Sequence, residues 1–238
     1  MIEFEHTEVV GWEAAIRGMR NPMNSWERSD SQLCKSGDGF EDCRLGVHGS
    51  CPRVDEDYFK ENIFCVGKND FELMQRLARA GTDHRKFMRM IVVYVDVTAP
   101  LYWWKEFDTY KVGTVANSES TMHTIMKEAF EIDDFSHDHL DEEGYSILSL
   151  IVYRINCWRN EYIITKDPEV KKRIWYKIIQ ILPSSFNQRR TVQLNYEVLA
   201  NIYRARKNHK LYEWRKFCRW IEDLPYSELI TGEEKLND

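Results

Sequence analysis

The spacing of apolar residues along the chain predicts mostly helices, with strands in two places. In residues 8–20, Val9, Trp12, Ile16 and Met19 recur at helical spacing and predict a short amphipathic helix. The periodicity then stops. From Asn21 to Lys60 the sequence is rich in Gly, Ser, Asp and Pro, which predicts a long irregular segment, open to two readings, a functional lid or partner-binding insertion and a merely tolerated insertion, of which the second is the commoner. Order returns over residues 68–81, where Asn69 or Asp70 can cap a helix, Phe71, Met74, Leu77 and Ala78 form its apolar face, and Gly81 stops it. Residues 87–100 are dense in β-branched side chains, and alternation places Ile91, Val93, Val95 and Val97 on one face of a strand ending at Pro100.

Residues 101–110 read as a strongly aromatic helix, followed by two polar stretches at 111–123 and 131–144. A long helical pattern runs through residues 147–164. Another follows Asp167-Pro168 and ends before Pro183, which has no backbone N–H to continue it. A short extended segment covers Gln188 to Leu194, and two helices close the pattern, the first capped by Asn195. The cluster Tyr102, Trp103, Trp104 and Phe107 is open to two roles, stacking on a planar ligand or filling the core, and core packing is the commoner outcome. No internal repeat is present.

Composition narrows the function classes. With 39 acidic against 33 basic residues the formal charge is −6, so there is no global positive field to hold a long nucleic acid, although small nucleotides remain possible ligands. The basic and aromatic run at residues 202–216 does not change that reading. The N-terminus lacks the basic and continuous apolar regions of a secretory signal, and the apolar run at Ile147–Ile155 is too short to span a bilayer. A cytoplasmic protein with no membrane partner is expected. The irregular spacing of Cys34, Cys43, Cys51, Cys65 and His48 matches no common metal-ligand framework. His137 and His139, among carboxylates, are open to two readings, a metal site and a solvated acidic loop, and the loop is the commoner because their spacing gives no coherent ligand geometry.

The segment from Leu182 to Glu213 resembles the C-terminal half of the flavin-dependent thymidylate synthases. Leu182-Pro183, Arg189, Asn195, Asn201 and Arg206 fall at that family's spacing without a gap, and His209 and Glu213 follow after a deletion of one residue. Upstream, His84, Phe87 and Ala99-Pro100 reproduce the family's His before a long strand that ends in Ala-Pro. The resemblance implies an α+β fold, a mainly antiparallel sheet flanked by long helices. We expect a single domain over 1–238, with the insertion at about 21–60. It also implies FAD as cofactor, NADPH and methylenetetrahydrofolate as co-substrates, a dUMP-like pyrimidine nucleotide as substrate, and a homotetramer.

Carried over position by position, Arg189 would pair with a substrate phosphate and Arg206 would hold the pyrimidine carbonyls. His84, Asn195, Asn201 and His209 would line the flavin, and Ser120 would face the substrate. The family's Arg-His-Arg triplet is missing. Either Tyr110-Lys111-Val112 or Thr109-Tyr110-Lys111 stands in its place, so Lys111 alone stays cationic, while Glu106 and Glu197 occupy positions that are Gln and Arg in the family. A carboxylate in place of a phosphate-binding cation is costly unless another cation intervenes. The expected activity is one-carbon transfer to the nucleotide. The alternative is a non-catalytic nucleotide-binding or protein-interaction module on the same scaffold.

Overall fold

The computed structural model describes residues 1–34 and 63–232. The part of the expected insertion at 35–62, with Cys43, His48 and Cys51, lies outside the described residues. A four-stranded sheet has the order β1 (Glu3–Val10), β4 (Val92–Pro100), β6 (Asn187–Asn195), β5 (Val115–Ser118). A second, antiparallel pair joins β2 (Gln32–Cys34) to β3 (Ile63–Cys65). The fold is mixed helix and antiparallel sheet, as the resemblance implies.

The central strand β4 follows its alternation. Val93, Val95 and Val97 are buried, as is Ile91 just before the strand. Removing each such side chain from water contributes roughly 1.5–3 kcal/mol. The edge strands β1 and β5 were not expected. β1 occupies the start of the segment predicted as helix, and the helix itself, α1 (Trp12–Arg20), begins after Gly11. Gly11 has φ 93°, and a Cβ there would run into the carbonyl oxygen of Met90, so only glycine fits this turn. β5 is exposed at all four positions, which leaves no burial alternation to read.

Two compact units divide the described chain. The first takes residues 1–6, 95–111 and 116–192. It holds α3 (Leu101–Phe107), the single turn α4 (Thr121–Thr124), α5 (Glu142–Ile164) and α6 (Pro168–Ile181). Phe130, Phe135, Leu148, Ile155, Ile174 and Ile178 build its core. Trp103, Trp104 and Phe107 are buried and pack on one another, Trp103 and Trp104 at 4.9 Å between centroids. Burial therefore makes these three rings core, not a stacking platform. Asp141 and Asp167 cap α5 and α6, accepting from Gly144 N and Glu169 N, and Pro168 sits at the start of α6.

The second unit takes 7–94, 112–115 and the chain from 193. It contains α1, α2 (Lys68–Arg79), α7 (Tyr196–Arg206), α8 (Tyr212–Glu222) and α9 (Glu228–Thr231). Trp12 meets Tyr196 and Tyr226 edge-on at 5.3 and 5.1 Å. The cap expected of Asn69 or Asp70 is supplied differently. Gly67 is the N-cap, and the carboxylate of Asp30 accepts from the N–H groups of Asn69 and Asp70. Asp70 instead forms a buried ion pair with Arg20 at 2.6 Å and also accepts from the hydroxyls of Ser29 and Ser31. Residues 21–31, expected to be irregular, are ordered around this pair as 3-10 turns and hydrogen-bonded loop. No described helix is long and apolar enough to cross a membrane.

Candidate functional site

In the first unit the polar face of the sheet gathers charge around Asp96. Alternation along β4 turns Asp96 away from the Val93, Val95 and Val97 face, and its carboxylate accepts from Thr191 Oγ1 at 2.5 Å and Arg189 Nη2 at 2.8 Å. The Nδ1 of His6 lies 3.1 Å from the same carboxylate. The hydrogen bond from Thr191 and then that from Arg189 hold the Asp96 carboxyl down at about 2. Arg189 Nη1 also pairs with Glu5 Oε2 at 3.1 Å, and the two carboxylates hold its guanidinium above the usual arginine value. His6 has φ 51°, a left-handed conformation that is uncommon outside glycine.

Arg189 is thus on the expected strand but its donor fork is already engaged by two carboxylates. An incoming phosphate has to compete with both. Ser120 is exposed and precedes α4, with its carbonyl accepting from Thr124 Oγ1 at 2.9 Å. The neighbouring Glu119 N–H donates to the carbonyl of Arg189 at 3.0 Å, which carries the β5–β6 pairing up to Ser120. Lys111 is exposed beyond α3. Sequence reasoning passed over Glu5, His6 and Asp96. The signal that marked Asp96 was an acid on the solvent-facing side of an otherwise apolar strand.

In the second unit, Asn195 caps α7, accepting from Val198 N at 3.0 Å. The segment 112–115 reaches this helix end, because a Cβ built on Gly113 comes 3.1 Å from Asn195 Nδ2 and 2.9 Å from Val198 Cγ2. Two turns along α7, Asn201 Oδ1 accepts from Arg204 Nη2 at 2.6 Å and from Arg85 Nη2 at 3.4 Å. Glu197, one turn before Asn201 on the same face, accepts from Arg85 Nε at 3.3 Å and from Arg89 Nε. His84 is exposed and opens the 3-10 turn Arg85–Arg89 that carries both arginines.

The carboxylate at Glu197 is therefore not left among anions. Burial on its own pushes its pKa up, but the hydrogen bonds from Arg89 and Arg85 outweigh that and hold it below the usual carboxylate range. The cations that compensate it come from the residues just after His84. Arg206 and His209 meet at Trp214, the guanidinium 4.6 Å from the indole centroid and the imidazole edge-on at 6.3 Å. His209 Nδ1 accepts from Leu211 N at 3.2 Å, which fixes its ring. Glu213, at the end of the matched segment, is buried.

Of the residues expected around a flavin, Asn195 caps α7 and Asn201 lies on it, His84 adjoins the arginines that reach Asn201 and Glu197, and His209 joins Arg206 on Trp214. The donor set on α7 and the 3-10 turn, three arginines beside an amide, suits a ligand bearing anionic and carbonyl oxygens. Among the described residues no group of three or more His, Cys, Asp or Glu is placed to hold a metal ion.

No protein-family profile and no curated protein sequence matches this chain. Solved structures do. Thymidylate synthase X from Helicobacter pylori, with FAD and dUMP, aligns at a TM-score of 0.62 and 14% identity over 98% of this chain and 98% of that one. A second structure of the H. pylori flavin-dependent thymidylate synthase, complexed with FAD and dUMP, aligns at 0.61 and 14% identity over 97% and 98%. At this identity the likeness shows a shared fold.

Proposed function

We propose that this chain is a divergent flavin-dependent enzyme that transfers a one-carbon unit to a dUMP-like pyrimidine nucleotide. The observation that carries the reading is the end-to-end match of fold to proteins holding FAD and dUMP. When bound, a reduced flavin would supply the redox chemistry and relay the carbon unit from methylenetetrahydrofolate, with NADPH as reductant. The protein's part is positioning. Asn195, Asn201, His84 and His209 would contact the flavin, while Arg206, steadied on Trp214, would hold the pyrimidine carbonyls. Ser120, Lys111 and Arg189 would face the nucleotide, Arg189 after loosening its ion pairs with Glu5 and Asp96.

Visible absorbance of the purified protein, before and after adding FAD, tests this reading, followed by NADPH oxidation dependent on dUMP. A colourless preparation that takes up no added flavin rules the mechanism out. A second reading, nucleotide binding without transfer, is favoured by the engaged fork of Arg189 together with the missing triplet cations. Calorimetric binding of dUMP to a protein that never turns over would select it.

Self-association through the long helices belongs to the same proposal. On α5, Ile147, Leu150 and Tyr153 are exposed at i, i+3 and i+6, while Leu148, Val152 and Ile155 face the core. Sedimentation analysis showing only monomer at micromolar concentration would remove the tetramer from the proposal.

A further inference from the structure

The arginines around Asn201 and Glu197 carry more positive charge than their partners absorb. Arg85 and Arg89 share one carboxylate, that of Glu197, with Asp83 acting on Arg89 through space. Arg204 has no carboxylate partner among the described residues. Its Nε donates to the carbonyl of Ala200 at 3.2 Å and its Nη2 to Asn201. Arg85 and Arg204 therefore bring two guanidinium groups to one neutral amide oxygen. Like charges held that close repel unless an anion lies near them.

The anchoring pattern leaves room for such an anion. Each of the three guanidinium groups is held through Nε, and Nη1 of all three, with Nη2 of Arg89, donates to nothing among the described residues. Arg89 keeps 56% of its side chain exposed, whereas Glu197 beneath it is 8% exposed. A buried carboxylate thus fixes an exposed fork with its outer edge outward. Glu197 and Asn201 lie at i and i+4 on one face of α7, and the Arg204 fork folds back onto Asn201, so the forks are anchored along about 6 Å of helix. Donors at several separated points suit two linked phosphoryl groups better than a single one.

We propose that Arg85, Arg89 and Arg204, oriented by Glu197 and Asn201, form a diphosphate-binding site that takes the diphosphate of a flavin dinucleotide in place of the cations missing near Lys111. The choice of ligand rests on the flavin reading above. The site itself rests on the arginine geometry. Glu197 acts here as a positioning residue, and Arg89 and Arg204 are the groups that touch the ligand.

Calorimetry of the full-length protein with inorganic pyrophosphate separates the two. Wild type should bind pyrophosphate, and Arg89→Ala and Arg204→Ala should each weaken it by about fivefold or more. Arg204 is exposed and pairs with no carboxylate among the described residues, so Arg204→Ala should keep the wild-type circular dichroism and melting temperature. Arg89→Ala, which takes one of two cations from buried Glu197, should keep the circular dichroism but melt lower, and is titrated well below its transition. FAD affinity should fall in parallel, while riboflavin, which lacks phosphate, should bind wild type and both variants alike. The inference is overturned if wild type does not bind millimolar pyrophosphate, or if either variant binds it as well as wild type. It is also overturned if riboflavin weakens as much as FAD. Pyrophosphate binding that is lost in the variants, in a protein that takes up no flavin, upholds the site and sinks the flavin reading alone.

Discussion

Replacing Glu5 by glutamine should strengthen binding of dUMP and leave deoxyuridine untouched. The Arg189 guanidinium is held by Asp96 at 2.8 Å and by Glu5 at 3.1 Å, so one positive charge faces two negative ones. A dianionic phosphate docked on that guanidinium would lie about 5 Å from the Glu5 carboxylate, where Coulomb repulsion in a water-like medium is about 1.7 kcal/mol. The water-like medium is appropriate because about half of the Glu5 side chain is exposed, 49%. Screening over a Debye length of about 8 Å at physiological salt reduces the repulsion to about 0.9 kcal/mol. Glu5→Gln keeps the shape and removes the charge, so dUMP should bind about four- to fivefold tighter. Asp96 is a poorer target, since it also holds Thr191 and His6. Isothermal titration of wild type and variant with dUMP and with deoxyuridine, at physiological and at high salt, reads the effect. The reasoning fails if affinity for dUMP is unchanged, if both ligands gain equally, or if the gain does not shrink with salt.

Three further outcomes follow from the charge and burial pattern. Asp70→Ala removes the partner of a buried arginine, 5% exposed, and orphans the Ser29 and Ser31 donors. The cost should be about 3–5 kcal/mol, or about 6–20 °C in melting temperature, and a loss under about 3 °C by scanning fluorimetry would contradict it. Asp70, Asp96 and Glu197 all have folded-state pKa values below the ordinary range, so their stabilisation is present above the unfolded carboxylate pKa and drains as pH falls through the folded values, to about 2 for Asp96. The urea midpoint should therefore drop steeply below about pH 4, and a midpoint that stays flat to pH 2.5 would refute the linkage. Cys218 is buried, and that burial, with Glu222 nearby, pushes its thiol up to about 12. Iodoacetamide at pH 8 should label its peptide only after denaturation, as mass mapping would show.

The parts of the fold that could be read from sequence are those where burial is one-sided and local. β4 announced itself because a central strand hides every second side chain, and Asn195 did so because a cap acts within three residues of itself. β1 and β5 are edge strands with few buried positions, and no alternation marks them. Asp70 misled for a different reason. An acid beside the start of a helix is ordinarily a cap, but Arg20, fifty positions earlier, offered it a buried partner, and Asp30 took the capping role instead.

The candidate site divides along the same line. Residue identities at family spacing single out Arg189, Asn201 and Arg206 as candidates, but identity does not say which charges are already spent on neighbours. Arg189 meets Asp96 across 93 positions of sequence, and Glu197 meets Arg85 and Arg89 across 112 and 108. Read alone, Arg189 looks like a free cation and Glu197 like a misplaced anion. Folded, each has been answered by a distant residue of opposite charge. The surplus of positive charge then lies beside Asn201, at Arg204 and the outer edge of Arg89, and not at the arginine that spacing singled out. Pyrophosphate affinity should therefore track substitutions on α7 and the turn after His84 more strongly than substitution of Arg189 itself, which should show in dUMP binding instead.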